Sequence, residues 1–165
     1  MRVAIFSDLH DHLNNLETFL NWVNNNKVSK LIFCGDLCNK EILKYLTSNF
    51  SGEIFLVGGN ADLFLQKDTK DTKNLIYDEH KLEFKLGPQK ILVTHKPADL
   101  KRYLSEDNGF DFAFHGHTHK PWMNKENGVI IANPGTLGST SGPVSSFAVM
   151  ETDTGQLELK LLESI

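Results

Sequence analysis

An α/β fold with a parallel core is what this 165-residue chain predicts. Three short apolar runs, Arg2 to Phe6, Leu31 to Cys34 and Ile54 to Val57, read as strands buried on both faces. Two stretches with helical spacing lie between them, so the first third alternates strand and helix. That order implies βαβ units with right-handed crossovers. Towards the end, apolar runs follow one another with no helix between, and these read as antiparallel.

The first strand ends at Ser7-Asp8-Leu9-His10-Asp11-His12. Asn14 or Asn15 can cap the following helix, and Leu13, Leu16, Leu20 and Val23 recur at helical spacing to about Asn25. The second strand ends at Gly35-Asp36, and Glu41 to Asn49 forms a second helix with Ile42, Leu43 and Leu46 on one face. The third strand ends at Gly58-Gly59-Asn60-Ala61-Asp62. From Gln66 to Lys73 charges of both signs cancel, the mark of a solvated loop. His80 to Leu86 alternates as a strand does, Gly87-Pro88 turns the chain, and Ile91 to Val93 ends at Thr94-His95. Leu100, Tyr103 and Leu104 predict a short helix. Phe110, Phe112 and Phe114 then alternate in a half-buried strand that runs into His115-Gly116-His117-Thr118-His119. Val129 to Ile131, a loop rich in Gly, Pro, Ser and Thr from Asn133 to Ser146, and strands near Phe147 to Met150 and Leu157 to Leu162 complete the chain. The last two turn near Asp153 to Gly155. No repeat or linker divides residues 1–165, which read as one domain.

A net charge of −4 gives no reason to expect binding to nucleic acid or an anionic membrane through the overall field. An anionic substrate must therefore be attracted locally. Cys34 and Cys38 form no CxxC pair and read as free thiols of a reducing compartment. The opening apolar run is too short for a signal peptide or a membrane span, so the expectation is a cytoplasmic protein.

The chemistry follows from where polar residues fall. Five strands end at Asp8/His10, Asp36, Asn60, His95 and His117/His119. Ligands of open α/β sheets bind outside the carboxyl ends of the strands. Each residue alone has a plain alternative as a cap, a turn or a buried polar group; seven together at one edge point to a metal site. Four imidazoles, two carboxylates and an amide, with no thiolate, suit divalent Mn, Fe, Ni, Co or Zn. Seven donors exceed what one such ion takes, so two ions bridged by a carboxylate are expected, about 3.5–4 Å apart. Two divalent cations against two carboxylates leave a positive centre that attracts phosphate, and a hydroxide held between the ions is the expected nucleophile.

Asp8-x-His10, Gly35-Asp36, Gly59-Asn60-x-Asp62, His95 and Gly116-His117-x-His119 resemble, in order, the five blocks of the calcineurin-like metallophosphoesterase superfamily. Small size, Asn60-Ala61-Asp62 and Asn133-Pro134-Gly135 make the chain similar to the compact YfcE/MJ0936-like phosphodiesterases. The resemblance implies a four-layer αββα sandwich with mixed sheets and two ions, manganese first among the candidates. It implies that Asp8, His10, Asp36 and His119 hold one ion, and Asp36, Asn60, His95 and His117 the other, Asp36 bridging. Many relatives carry histidine where this chain has Ala61, and that histidine is thought to protonate the leaving oxygen. A positioned acid contributes about 10²–10⁴-fold, so its absence favours diesters or stabilised leaving groups over ordinary monoesters. His12 is the candidate substitute acid, against a supporting or surface role, which makes Asp36, Asn60, His95 and His12 the candidate catalytic set. Lys96 replaces a common glycine and either touches substrate phosphate or, more simply, points into solvent. His115 is expected to pack beside its strand and His80 to lie on the surface.

A small phosphoester is thus the expected substrate, hydrolysed by a metal-dependent phosphodiesterase, with a homo-oligomer left open. Two alternatives stand beside it: a phosphomonoesterase, and a non-catalytic scaffold like the retromer subunit related to this family.

Overall fold

The computed structural model describes residues 1–64, 66–69, 72–106, 109–139 and 144–165. Residues 70–71 of the mixed-charge loop and 140–143 of the Gly/Pro/Ser/Thr loop lie outside these.

The first half alternates as its pattern predicts. β1 (Arg2–Phe6), α1 (Leu13–Asn25), β2 (Lys30–Phe33), α2 (Lys40–Asn49) and β3 (Glu53–Val57) are followed by a single 3₁₀ turn at Gln66–Thr69 and β4 (Leu75–Asp78). The second half holds β5 (Lys81–Leu86), β6 (Gln89–Thr94), α3 (Pro97–Glu106), β7 (Phe112–Phe114), β8 (Trp122–Glu126), β9 (Val129–Asn133), β10 (Ser146–Glu151) and β11 (Gln156–Leu161). One sheet runs β11-β10-β1-β2-β3-β4 and the other β5-β6-β7-β9-β8. β1 to β4 are mutually parallel, and β10 joins β1 antiparallel.

Three apolar layers hold these elements in an α–β–β–α stack. Leu16, Phe19, Leu20 and Val23 of α1 and Leu43 and Leu46 of α2 cover one face of the first sheet. Val3, Ile5, Ile32 and Val57 meet Ile91, Val93, Phe112 and Phe114 between the sheets. Leu100 of α3 packs on Leu92, Ala113 and Ile131 across the outer face of the second sheet. The four-layer expectation with mixed sheets is borne out.

Four details differ from the sequence reading, the first being β4, an edge strand parallel to β3 that the pattern did not mark. β9 pairs parallel to β7, not antiparallel, because the chain returns through β8, which takes the place of a crossover helix. β8 itself has no alternating pattern to read, since every residue in it is exposed. The cap of α1 is His12, whose Nδ1 accepts from the Asn15 N–H at 3.3 Å. The Asn15 side chain instead donates to the Leu137 carbonyl and to Ser145.

Phe6 is fully buried, its ring 4.3 Å from that of Phe33 and 4.6 Å from that of Phe19. Phe6→Ala should cost about 3–5 kcal/mol in urea unfolding; a loss under about 1 kcal/mol would mean this layer is not packed as described.

Candidate metal centre

β1, β2 and β3 are parallel in one sheet, as are β6 and β7 in the other. Their carboxyl ends deliver Asp8 and His10, Asp36, Asn60, His95, and His117 and His119 to one place. The structure brings all seven together. His119 Nε2 lies 3.2 Å from Asp8 Oδ1 and 3.1 Å from His10 Nε2. Asp36 Oδ2 sits between the halves of the cluster, 3.8 Å from His10 Nε2 and 3.4 Å from His95 Nε2. His95 Nε2 is also 3.0 Å from Asn60 Oδ1 and 3.3 Å from His117 Nδ1. Donor atoms of Asp8, His10 and His119, and of Asp8, Asp36 and His95, form two groups whose members all lie within 4.8 Å of one another. Asp8 belongs to both groups, so it and Asp36 both face the middle of the site.

The local backbone is unusual. Among the described residues nine non-glycine positions have positive φ, and five of them are Asp8, His10, Asp36, His117 and His119. Left-handed backbone costs such residues free energy, less for Asp and His than for most. It persists because neighbouring loops clamp it. The Asp8, Leu9 and His10 N–H groups bond the carbonyls of Gly35 and Asp36, and the Leu137 and Gly138 N–H groups bond those of Ser7 and Asp8. Asp62 accepts from the Gly59 N–H at 2.7 Å and the Cys38 N–H at 2.8 Å, tying the ends of β2 and β3 together. Asn133 donates to the Gly116 carbonyl and to Thr118, fixing the loop of His117 and His119. Two glycines are required by close approach: a Cβ on Gly59 would strike Asp36, and one on Gly116 would strike Ser7 and Asp8.

The electrostatics ask for cations. Asp8 and Asp36 are 0% and 2% exposed, and among the described residues no lysine or arginine pairs with either. Buried carboxylates without counter-charges are costly. Burial lifts the Asp8 carboxyl above its usual value, with Ser7, His95 and His119 offsetting part of the effect. For Asp36 burial also pulls upward, but the hydrogen bond to His95 and the Ala61 N–H outweigh it and hold the carboxyl low. Burial depresses His95, but its contacts with the Asp36 carboxylate and with the Cys34 carbonyl overcome it, so His95 sits above its ordinary value.

The hydrogen-bond arithmetic at His95 tests whether a metal fits. Its Nδ1 lies 2.8 Å from the Cys34 carbonyl, which can only accept, so Nδ1 carries the proton. Nε2 of the neutral ring then points its lone pair at the oxygens of Asn60 and Asp36. Lone pair facing lone pair is repulsive unless a proton or a cation lies between. His10 and His119 pose the same question, Nε2 to Nε2. Imidazole, carboxylate and carboxamide are the ligand types that divalent first-row ions take, so the donor set fits such ions.

Of the predicted residues, His12 stands apart: its Nδ1 is used in capping α1, and none of the described contacts joins it to the other seven. Ala61 contributes only its N–H, donated to Asp36 at 2.8 Å. His115 is buried beside the site with its Nδ1 near the Gly116 carbonyl, and burial pulls its pKa below the ordinary imidazole value. Beside Asn60 and His95 opens a cleft of about 210 Å³ walled by Glu79, His80, Lys96 and Asp99, so Lys96 faces this cleft. Sequence reasoning missed the clamps: Asp62 and Asn133 were each visible only as part of a motif. An Asp two residues beyond a predicted ligand is the one sequence signal that points to the first, and it does not show what that Asp would hold.

Gly59→Ala should abolish metal-induced thermal stabilisation, because the methyl group displaces Asp36, while leaving far-ultraviolet circular dichroism unchanged. A variant that keeps the full metal-dependent rise in Tm would mean Asp36 does not hold the ions.

The chain matches the family described as the calcineurin-like phosphoesterase superfamily domain over residues 1–155. It is 26% identical over 169 aligned positions to the phosphodiesterase MJ0936 of Methanocaldococcus jannaschii, covering 99% of this chain and 100% of that protein. A solved archaeal phosphodiesterase shares the fold with a TM-score of 0.87 at 24% identity, across 98% of this chain and 99% of that one. Wild-type Vps29 of Entamoeba histolytica, complexed with zinc, gives 0.71 at 20% identity across 97% of each chain. Among the described residues no helix is long and apolar enough to cross a membrane. With the family match running through all five strand ends that carry the candidate ligands, this chain belongs to the calcineurin-like phosphoesterase superfamily, and with it to the metal-dependent phosphoester hydrolases.

Proposed function

We propose that the protein is a phosphodiesterase working at a two-metal centre, with Asp8, His10, Asp36 and His119 holding one ion and Asp36, Asn60, His95 and His117 the other. The observation that carries this reading is the paired burial of Asp8 and Asp36 among imidazoles, with no lysine or arginine to balance them among the described residues. Similarity to MJ0936, named a phosphodiesterase, supports the substrate class. Manganese is the proposed metal.

When bound, two such cations neutralise charge on a phosphoryl group and lower the pKa of water towards neutrality. The chain's own residues set the rest. The clamped, left-handed loops keep the ligands in place before substrate arrives, so little reorganisation accompanies binding. Asp36, which accepts from the Ala61 N–H and faces both halves of the cluster, would hold both ions. The polar cleft beside Asn60 and His95 leaves space for one arm of a diester, with Lys96 on its wall. Ala61 supplies no proton to a departing alkoxide, and that is the reason to expect leaving groups that depart without help.

Initial rates under manganese for an aryl phosphodiester and the matching aryl phosphomonoester test this directly. Faster diester cleavage is expected, and faster monoester cleavage defeats the assignment. In the same assay Asp36→Asn should remove nearly all turnover, whereas His12→Ala should lower Tm through the lost helix cap and cost less than about tenfold in rate. A His12→Ala loss of about 10²–10⁴-fold would make His12 the missing acid. No turnover of any phosphoester, with metal bound, would favour a scaffold on this fold.

A further inference from the structure

We propose that Cys38 is the positioning residue for His10, holding the imidazole in the tautomer and rotation that aim Nε2 into the metal centre. The inference rests on His10 being a metal ligand, as proposed above. Nε2 of His10 faces Asp8 Oδ1 at 3.9 Å, Asp36 Oδ2 at 3.8 Å and His119 Nε2 at 3.1 Å. On the far side of the ring, Nδ1 lies 3.7 Å from Cys38 Sγ.

A ligating imidazole offers the metal the lone pair of one nitrogen, so the ring proton resides on the other. That N–H needs an acceptor; in metal sites it is ordinarily a carboxylate, a carbonyl or water, and the bond fixes the ring and raises the basicity of the ligating nitrogen. The opposite half of the centre follows the pattern, with His95 Nδ1 donating to the Cys34 carbonyl at 2.8 Å. For His10 the group in that place is a thiol sulfur, a weak but competent acceptor.

The loop is shaped to put it there. Cys38 has φ +79°, a conformation that a side-chain-bearing residue adopts only under constraint. The constraint is visible: its N–H donates to Asp62 Oδ1 at 2.8 Å and its carbonyl accepts from the Leu63 N–H at 2.9 Å. One short loop therefore delivers Asp36 as a ligand and, two residues on, the partner of another ligand. Among the described residues Cys38 belongs to neither group of converging donor atoms, so it supports the site from behind. Cys34 differs, being wholly buried between the sheets as part of the apolar layer.

Cobalt(II) titration of metal-free wild type, Cys38→Ala and Cys38→Asn separates the roles, read by visible d–d absorption and by ions bound per chain in native mass spectrometry. Wild type should take two ions. Cys38→Ala should weaken one of them by about 10–100-fold and spare the other. Cys38→Asn, which offers a carboxamide oxygen and tolerates the left-handed backbone, should restore binding towards wild type. Equal affinities in all three proteins would overturn the positioning role while leaving the two-metal reading intact. An intense thiolate-to-cobalt charge-transfer band, present in wild type alone, would overturn it in favour of direct ligation. Equal weakening of both ions in Cys38→Ala, with a lowered metal-free Tm, would reduce Cys38 to a packing group. A wild type that binds no cobalt removes the inference together with the reading beneath it.

Discussion

Two carboxylates, Asp8 and Asp36, are buried at the carboxyl edge of one sheet with imidazoles for neighbours. A fold selected for stability alone would avoid this arrangement, because desolvating two like charges side by side is expensive without strong counter-charges. The rest of the site can be understood as a response to it. The second sheet brings His95, His117 and His119 across, and none of these is a permanent cation. Among the described residues no lysine or arginine pairs with either carboxylate, and the donor atoms are of the types that suit divalent first-row ions.

Holding the donors in that pattern strains the backbone. Five of the seven proposed ligands sit in left-handed conformations, and the clamps around them are hydrogen bonds between strand-end loops rather than apolar contacts. The division of labour is clear in the fold. Parallel strands packed through Phe6, Phe33 and the inter-sheet layer give a rigid platform, while Asp62 and Asn133 turn that rigidity into fixed positions for the proposed ligands. Glycine at 59 lets the end of β3 lie against Asp36, and glycine at 116 lets the second sheet approach Ser7 and Asp8, at distances that any side chain would forbid.

Much of this was legible in the sequence, and the limits are physical. Strands buried on both faces, such as β1 and β3, announce themselves as apolar runs, and the residues ending them marked the site. β8 went unread because both its faces meet solvent and no alternation is imposed on it. The parallel setting of β9 went unread because the crossover carries no helix. The capping by His12 was hidden for a similar reason: two asparagines nearby have the better capping chemistry, and tertiary contacts to Leu137 and Ser145 draw Asn15 away. Sequence periodicity records burial, and hydrogen bonds between distant loops leave no period. Roles such as those of Asp62, Asn133 and Cys38 therefore become visible only when the loops are in place.

The most direct measurement is anomalous diffraction from crystals grown with manganese. The account predicts two peaks about 3.5–4 Å apart, with the Asp36 carboxylate between them and Asp8, His10 and His119 on one side, Asn60, His95 and His117 on the other. A single peak, or none within reach of Asp36, would contradict it.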